Sequence, residues 1–161
     1  MALGTVALLL TAAVAGESWY LWGTSDPTVS TQRPVVVGDI EAQAAVDVAA
    51  TDTAAIFTAS WRSYDAHLAR VTSLMTGDMA KRYRTTDERV GTNVVQARTD
   101  TTTRVSARGV VRAAPDTVLA LLFLDQRTTT DGGPPSYTAR RALVTMVRGG
   151  QGWLVANVQI R

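Results

Sequence analysis

The sequence predicts an α+β protein: an N-terminal transmembrane helix, then a long helix and two shorter helices packed on a curved antiparallel four-stranded sheet. Three observations carry this. Residues 2–16 hold no charge. From Ala42 to Tyr64 apolar or small residues recur every three or four positions, the helical period. After Arg98 the period becomes two, with turn residues between apolar runs. Helices first and hairpins afterwards place the helices on one face of the sheet.

The N-terminal run contains Leu8, Leu9, Leu10 and Val14, is interrupted by Glu17, and resumes in Trp19, Tyr20, Leu21 and Trp22. As a helix, Ala2 to Trp22 spans about 31 Å, the thickness of a bilayer's hydrocarbon core. Trp19, Tyr20 and Trp22 suit the interface, where a ring is half buried and its polar atom stays wet. The expectation is a single-pass plasma-membrane anchor with the C-terminal domain extracytoplasmic. Cleavage after Ala13-Val14-Ala15 as a secretory signal is the rival, and a start further upstream is a third reading. Either of the first two puts the folded part across the membrane. Residues 23–38, with Pro27 and Pro34, read as a flexible tether.

The domain is then 39–161. Asp39 is placed to cap a helix that continues through Ile56, Phe57, Ser60, Trp61 and Tyr64. Its early face is rich in alanine and its later face is aromatic. Asp65 opens a second helix with Leu68, Val71, Leu74 and Met75, and Gly77 reads as its stop. Asp78 caps a third segment, and the spacing in Thr85-Thr86-Asp87-Glu88 suggests a restart running to Val95. Thr101, Thr103, Val105, Ala107 and Val111 alternate with Arg104, Arg108 and Arg112 in a first strand. Val118 to Leu124 is apolar on both faces, as a central strand is. A loop through Asp131-Gly132-Gly133-Pro134-Pro135, a strand from Tyr137 to Arg148, a turn at 149–152 and a strand from Trp153 to Ile160 complete the chain.

Composition excludes several chemistries. The 161 residues include no cysteine, so there is no disulfide scaffold, thiolate zinc site or thiol nucleophile. A single histidine denies any site built on two imidazoles, and a net charge of +2 gives no electrostatic reason to expect nucleic acid. No phosphate loop, dinucleotide fingerprint or nucleophile elbow occurs, and no catalytic, cofactor or metal-binding residue is assigned. His67, two residues from Asp65, reads as an exposed helix residue, because side chains at i and i+2 point apart. The arginines read as one solvated sheet face. Asp125 reads as a strand-end carboxylate. Trp61, Tyr64, Leu68, Met75, Met79 and Tyr83 are candidates for the lining of a cleft between helices and sheet, or else plain core.

Several stretches resemble one family: Ala59-Ser60-Trp61-Arg62-Ser63-Tyr64-Asp65, Leu74-Met75-Thr76-Gly77-Asp78-Met79, Gly109-Val110-Val111, the strand from Leu121 to Gln126 with its trailing threonines, and Gly152-Trp153-Leu154-Val155. In these the chain is similar to the Mce-associated membrane proteins of mycolic-acid-bearing actinobacteria. The resemblance implies a cone-like domain of the nuclear-transport-factor and cystatin-like kind. It implies a non-enzymatic accessory subunit that assembles with Mce lipid-import transporters, which carry fatty acids or sterols. The very short, uncharged N-terminus departs from that family's pattern. The periplasmic assembly subunits of type IV secretion systems share the fold class and are the alternative. A lipid-binding module with a fatty acid or sterol in the cone is another, and a small isomerase-like enzyme a fourth. The expected contact surface is the open side of the sheet or the small-residue early part of the long helix.

Overall fold

The computed structural model describes residues 38–161, apart from the side chains of residues 38, 39, 88 and 89. The expected anchor 1–22 and nearly all of the tether lie outside them. Among the described residues no helix is long and apolar enough to cross a membrane. In chain order the elements are α1 (Gly38–Phe57), β1 (Ala59–Ser60), a single 3₁₀ turn (Trp61–Ser63), α2 (Tyr64–Thr72) and α3 (Gly77–Gln96). The strands β2 (Thr99–Ala114), β3 (Thr117–Thr130), β4 (Ser136–Gly149) and β5 (Gly152–Ile160) follow. They form one antiparallel meander in the order β1-β2-β3-β4-β5, one short edge strand more than the four expected.

The alanine stripe of α1 explains how helix and sheet meet. Ala45, Val46 and Ala49 are wholly buried, and α1 packs on all four long strands. Small side chains let the helix axis approach the sheet, and the volume between is filled from the sheet by Leu122, Leu124, Val144 and Met146. The small-residue face of early α1 is therefore core, and only its other side, with Ile40 and Ala44 exposed, is left to meet a partner. At its edges Asp47 pairs with Arg108 at 2.7 Å and Glu41 with Arg148 at 2.9 Å. Both pairs are solvent-exposed, and such pairs contribute about 0–1 kcal/mol.

The long helix stops earlier than its periodicity suggests. The Thr103 hydroxyl donates to the Phe57 carbonyl at 2.8 Å, and the Thr103 N–H donates to the Thr58 hydroxyl at 3.0 Å. This clamp from β2 satisfies a carbonyl of the last turn and turns the chain into β1. Trp61 and Tyr64 consequently sit in the 3₁₀ turn and at the start of α2, and the apolar spacing merely carries across the break.

The third helix is not short. It runs unbroken for 20 residues. Gly77 opens it instead of ending the helix before, and the Thr76 hydroxyl caps it by accepting from Met79 N–H at 3.4 Å. No restart occurs at Thr85-Thr86, because both hydroxyls donate back to the carbonyls of Lys81 and Arg82, at 3.2 and 3.1 Å.

Two bulges in β2, between Val105 and Ala107 and between Val110 and Arg112, change which face each residue takes. Arg108 lies opposite the buried Leu122 and turns toward α1, whereas Arg104 and Arg112 lie opposite Asp125 and Leu119 on the other face. The expected single arginine face is thus split. Asp125 lies within β3 and not at a strand end, since β3 extends to Thr130. The outer edge of β5 is partly closed by the α2–α3 connection. Thr76 N–H donates to the Val155 carbonyl and Val155 N–H to the Leu74 carbonyl, both at 2.9 Å.

Candidate functional site

Two features of the domain are built to meet something. The first is the sheet face turned away from the helices. Along β3 the alternation is complete: Val118, Ala120, Leu122 and Leu124 are buried under α1, while Leu119, Leu121 and Phe123 face outward. Phe123 keeps 40% of its surface exposed. Leu143 of β4 lies beside Leu121, and Arg141 beside Phe123. Below them Arg104 and Asp125 are cross-strand neighbours at a shallow depression that Arg127 and Tyr137 also line. Tyr137 is 72% exposed. β3 was apolar on both sides in sequence, yet the described residues cover only one.

The second feature is a cleft of about 280 Å³ at the end of the helical layer. It is lined by Ile56 and Phe57 of α1, Tyr64 and His67 of α2, and Tyr83, Asp87, Val90 and Val94 of α3, with Thr101 and Gln126 from the sheet. Tyr64 is fixed there. Its hydroxyl donates to the Asp87 carboxylate at 2.5 Å, and α3 comes close enough to its ring only because residue 91 is glycine. Burial, and then the hydrogen bond and charge of Asp87, hold the Tyr64 phenol well above its ordinary pKa. The Tyr83 phenol is pushed up to about 12, mainly by burial and then by the same carboxylate.

His67 is 4% exposed and its Nδ1 has no hydrogen-bond partner, so the expectation of an exposed helix residue is overturned. The isolated helix would leave it in water, but α2 is short and packed on both long helices, so even a polar position is covered. Burial, then the charge of Arg70, lower its pKa from 6.5, and the Asp87 charge and the Ile56 carbonyl act weakly the other way. The ring is therefore neutral at pH 7.

Of the six candidate lining residues, Tyr64 and Tyr83 line this cleft. Met75 is core at 5% exposure, and Met79 packs against that core from outside. Trp61 lies at the surface with the guanidinium groups of Arg62 and Arg98 at 4.5 and 5.7 Å from its ring. Leu68 is half-buried away from the lining. Sequence reasoning missed Asp87, Val90 and Val94, although with Tyr83 their spacing of four, three and four marks one helix face. Breaking α3 at Thr85 hid that face. Among the described residues no group of three or more acidic or histidine side chains converges as a metal site would require.

No protein-family model matches the chain. Two uncharacterized proteins of Mycobacterium tuberculosis, one from strain CDC 1551 and one from strain H37Rv, are each 32% identical to it over 118 residues. The match takes in 72% of this chain and 54% of theirs, so the chain spans about half the length of these relatives. Solved structures share its fold. An IcmL-like type IV secretion system protein from Legionella pneumophila has a TM-score of 0.64 at 12% identity, covering 74% of this chain and 91% of that one. The periplasmic domain of DotI scores 0.66 at 10% identity, covering 74% and 94%. CagV, a VirB8 homolog from Helicobacter pylori, scores 0.57 at 12%, covering 71% and 96%. The described domain is thus similar in fold to the cone-like α+β domains of periplasmic secretion-system proteins.

Proposed function

We propose that the protein is a non-enzymatic assembly subunit of a multiprotein complex in the cell envelope, with its domain on the extracytoplasmic side. The observation that carries this is the one-sided sheet. Leu119, Leu121, Phe123 and Leu143 form an outward apolar strip flanked by Arg104, Arg112 and Arg141, on a fold shared with periplasmic subunits of type IV secretion systems. An apolar centre with a charged rim is how a protein–protein contact is built. The cleft, by contrast, brings Tyr64, His67 and Asp87 together without a free nucleophile or a paired acid and base.

A second reading concerns which complex. The stretches that resemble Mce-associated membrane proteins support an Mce-type lipid importer, while the shared fold of type IV secretion proteins supports a secretion-type assembly. In the first case the anchor expected at 1–22 would hold the domain against the transporter's extracytoplasmic part.

The test is purification of the tagged full-length chain from detergent-solubilised native membranes, beside Phe123→Asp and Leu121→Asp variants. Stoichiometric recovery of Mce proteins and their permease supports the importer, and recovery of secretion-channel components supports the alternative. Loss of either set in both folded variants places the contact on the open sheet face. A wild-type chain that purifies alone overturns the assembly reading.

A further inference from the structure

We propose that the occupant of the open sheet face is an amphipathic helix of another protein, apolar along one stripe and carrying carboxylates on both flanks of it. The inference rests on the assembly reading above and names the chemistry of the partner's contact segment.

The covered face of the same sheet supplies the pattern. There α1 lays its small apolar stripe on Leu122, Leu124, Val144 and Met146, and its flanking acids meet arginines of the sheet, Asp47 with Arg108 and Glu41 with Arg148. The open face repeats the sheet's half of that arrangement. Leu119, Leu121, Phe123 and Leu143 form the apolar strip, and the register puts Arg112 beside Leu119 and Arg141 beside Phe123. Arg104 and Arg127 follow beyond Phe123, beside Asp125 and Tyr137. These four arginines are exposed, and among the described residues none of them makes an ion pair. The four long strands hold only two carboxylates, and Asp100 is already paired with Arg62. Asp125 alone is left to answer four guanidinium groups, so the face is basic around an apolar centre.

That chemistry selects among occupants. A second copy docked through the same face would set arginines against arginines, and like charges oppose such a contact. A bilayer would take the arginines on its phosphates but would strand the amides that share rows with the strip. Gln159 lies beside Leu143 and Asn157 beside Thr145, and hydrocarbon offers them no hydrogen-bond partner. A helix meets both demands, because its polar flank bonds amides and its Asp or Glu takes a guanidinium in two parallel hydrogen bonds. From Leu119 to Arg127 the strand β3 runs about 27 Å, the length of a helix of about 18 residues. The helix on the covered face, α1, has 20.

The test maps what touches the face. Full-length chain carrying the photo-reactive p-benzoylphenylalanine in place of Phe123, and separately in place of the 72%-exposed Tyr137, is irradiated in cells of its native host. The cross-linked peptide is then sequenced by mass spectrometry. The expected product is a peptide of one other protein, apolar at three- and four-residue spacing with Asp or Glu on both flanks. Arg112→Glu combined with Arg141→Glu should lower its yield about tenfold or more, because each reversal sets like charge against like. Lysine in place of the partner's flanking acids should restore the yield, a rescue that a merely structural role of the arginines would not allow. Cross-links to phospholipid, to a second copy or to residues 1–37 of the same chain overturn the inference, as does a peptide without flanking acids. A yield unmoved by the reversal, or no cross-link from either position, overturns it too. The purification described above decides the assembly reading separately, so the two fail in different experiments. Peptide mapping with the arginines intact stands even where the double reversal does not fold.

Discussion

A Cβ added to Gly91 would lie 2.6 Å from Cε1 of Tyr64, whose ring is buried and whose hydroxyl is held by Asp87. Alanine is the better helix former by about 1 kcal/mol, so propensity alone predicts that Gly91→Ala stabilises α3. The contact predicts the reverse. The ring cannot yield without losing its carboxylate, and overpacking costs about 1–3 kcal/mol. Gly91→Ala should therefore lower the urea midpoint, and a midpoint equal to or above wild type would show that Tyr64 is free to move. Tyr64→Phe separates the hydroxyl from the ring. It leaves the packing but removes a donor from a buried carboxylate, a loss of about 1–3 kcal/mol. Asp87→Asn combined with it should recover part of that loss, read as coupling in a double-mutant cycle.

Among the elements, α1 and β2 hold each other in place through Thr103. Its hydroxyl donates to the Phe57 carbonyl and accepts from the Gln126 amide at 3.1 Å, so one buried side chain ends a helix and ties two strands. Thr103→Val keeps the shape and deletes both bonds. It should destabilise by about 1–3 kcal/mol, and hydrogen exchange should show the last turn of α1 opening first. If exchange there is unchanged, the helix ends for some other reason. The same scale explains what the sequence made legible. The core stripe of α1 and the four long strands follow from period and turn chemistry, and the alternation of β3 shows its buried set at once. The end of α1 was not legible, because the signal is a threonine 46 residues away. Nor was the face of Arg108, since a bulge shifts phase without changing the apolar pattern.

For the whole molecule, two desolvated groups, the buried His67 and the half-buried Asp52, oppose each other in pH dependence. His67 has a folded pKa below its ordinary 6.5, so the unfolded chain binds the extra proton more readily. Its contribution to stability is complete above pH 6.5 and is lost as pH falls below that value through the lowered folded pKa. His67→Gln should flatten the stability profile in that window. Asp52, desolvated on α1, is raised from 3.8 to about 6, so the folded state binds the extra proton between those values and stability falls as pH rises through them. Asp52→Asn should raise the unfolding midpoint at pH 7 and change it little at pH 3.5. A midpoint difference that is the same at both pH values would show that ionisation of Asp52 is not the cause. The full-length assembly test adds one expectation at this scale: Phe123→Asp should leave the unfolding midpoint near wild type, because a polar residue on an open face deletes no core contact.

By itself the sequence determined the class and layering of the domain. A helical period followed by a period of two, with alanines facing the sheet, leaves few ways to bury the apolar surface, and burial of that surface dominates folding. It also determined what chemistry is missing, since no thiol exists and only one imidazole. The tertiary structure decided where α1 ends, which arginines share a face, that the described residues leave one side of β3 uncovered, and that His67 and Asp87 line one cleft. Each of these depends on pairs far apart in the chain, Phe57 with Thr103, Asp47 with Arg108, Tyr64 with Asp87. Local periodicity reports which face a residue takes on its own element. It carries no record of which other element will cover that face, and a polar side chain is buried or exposed by that choice alone.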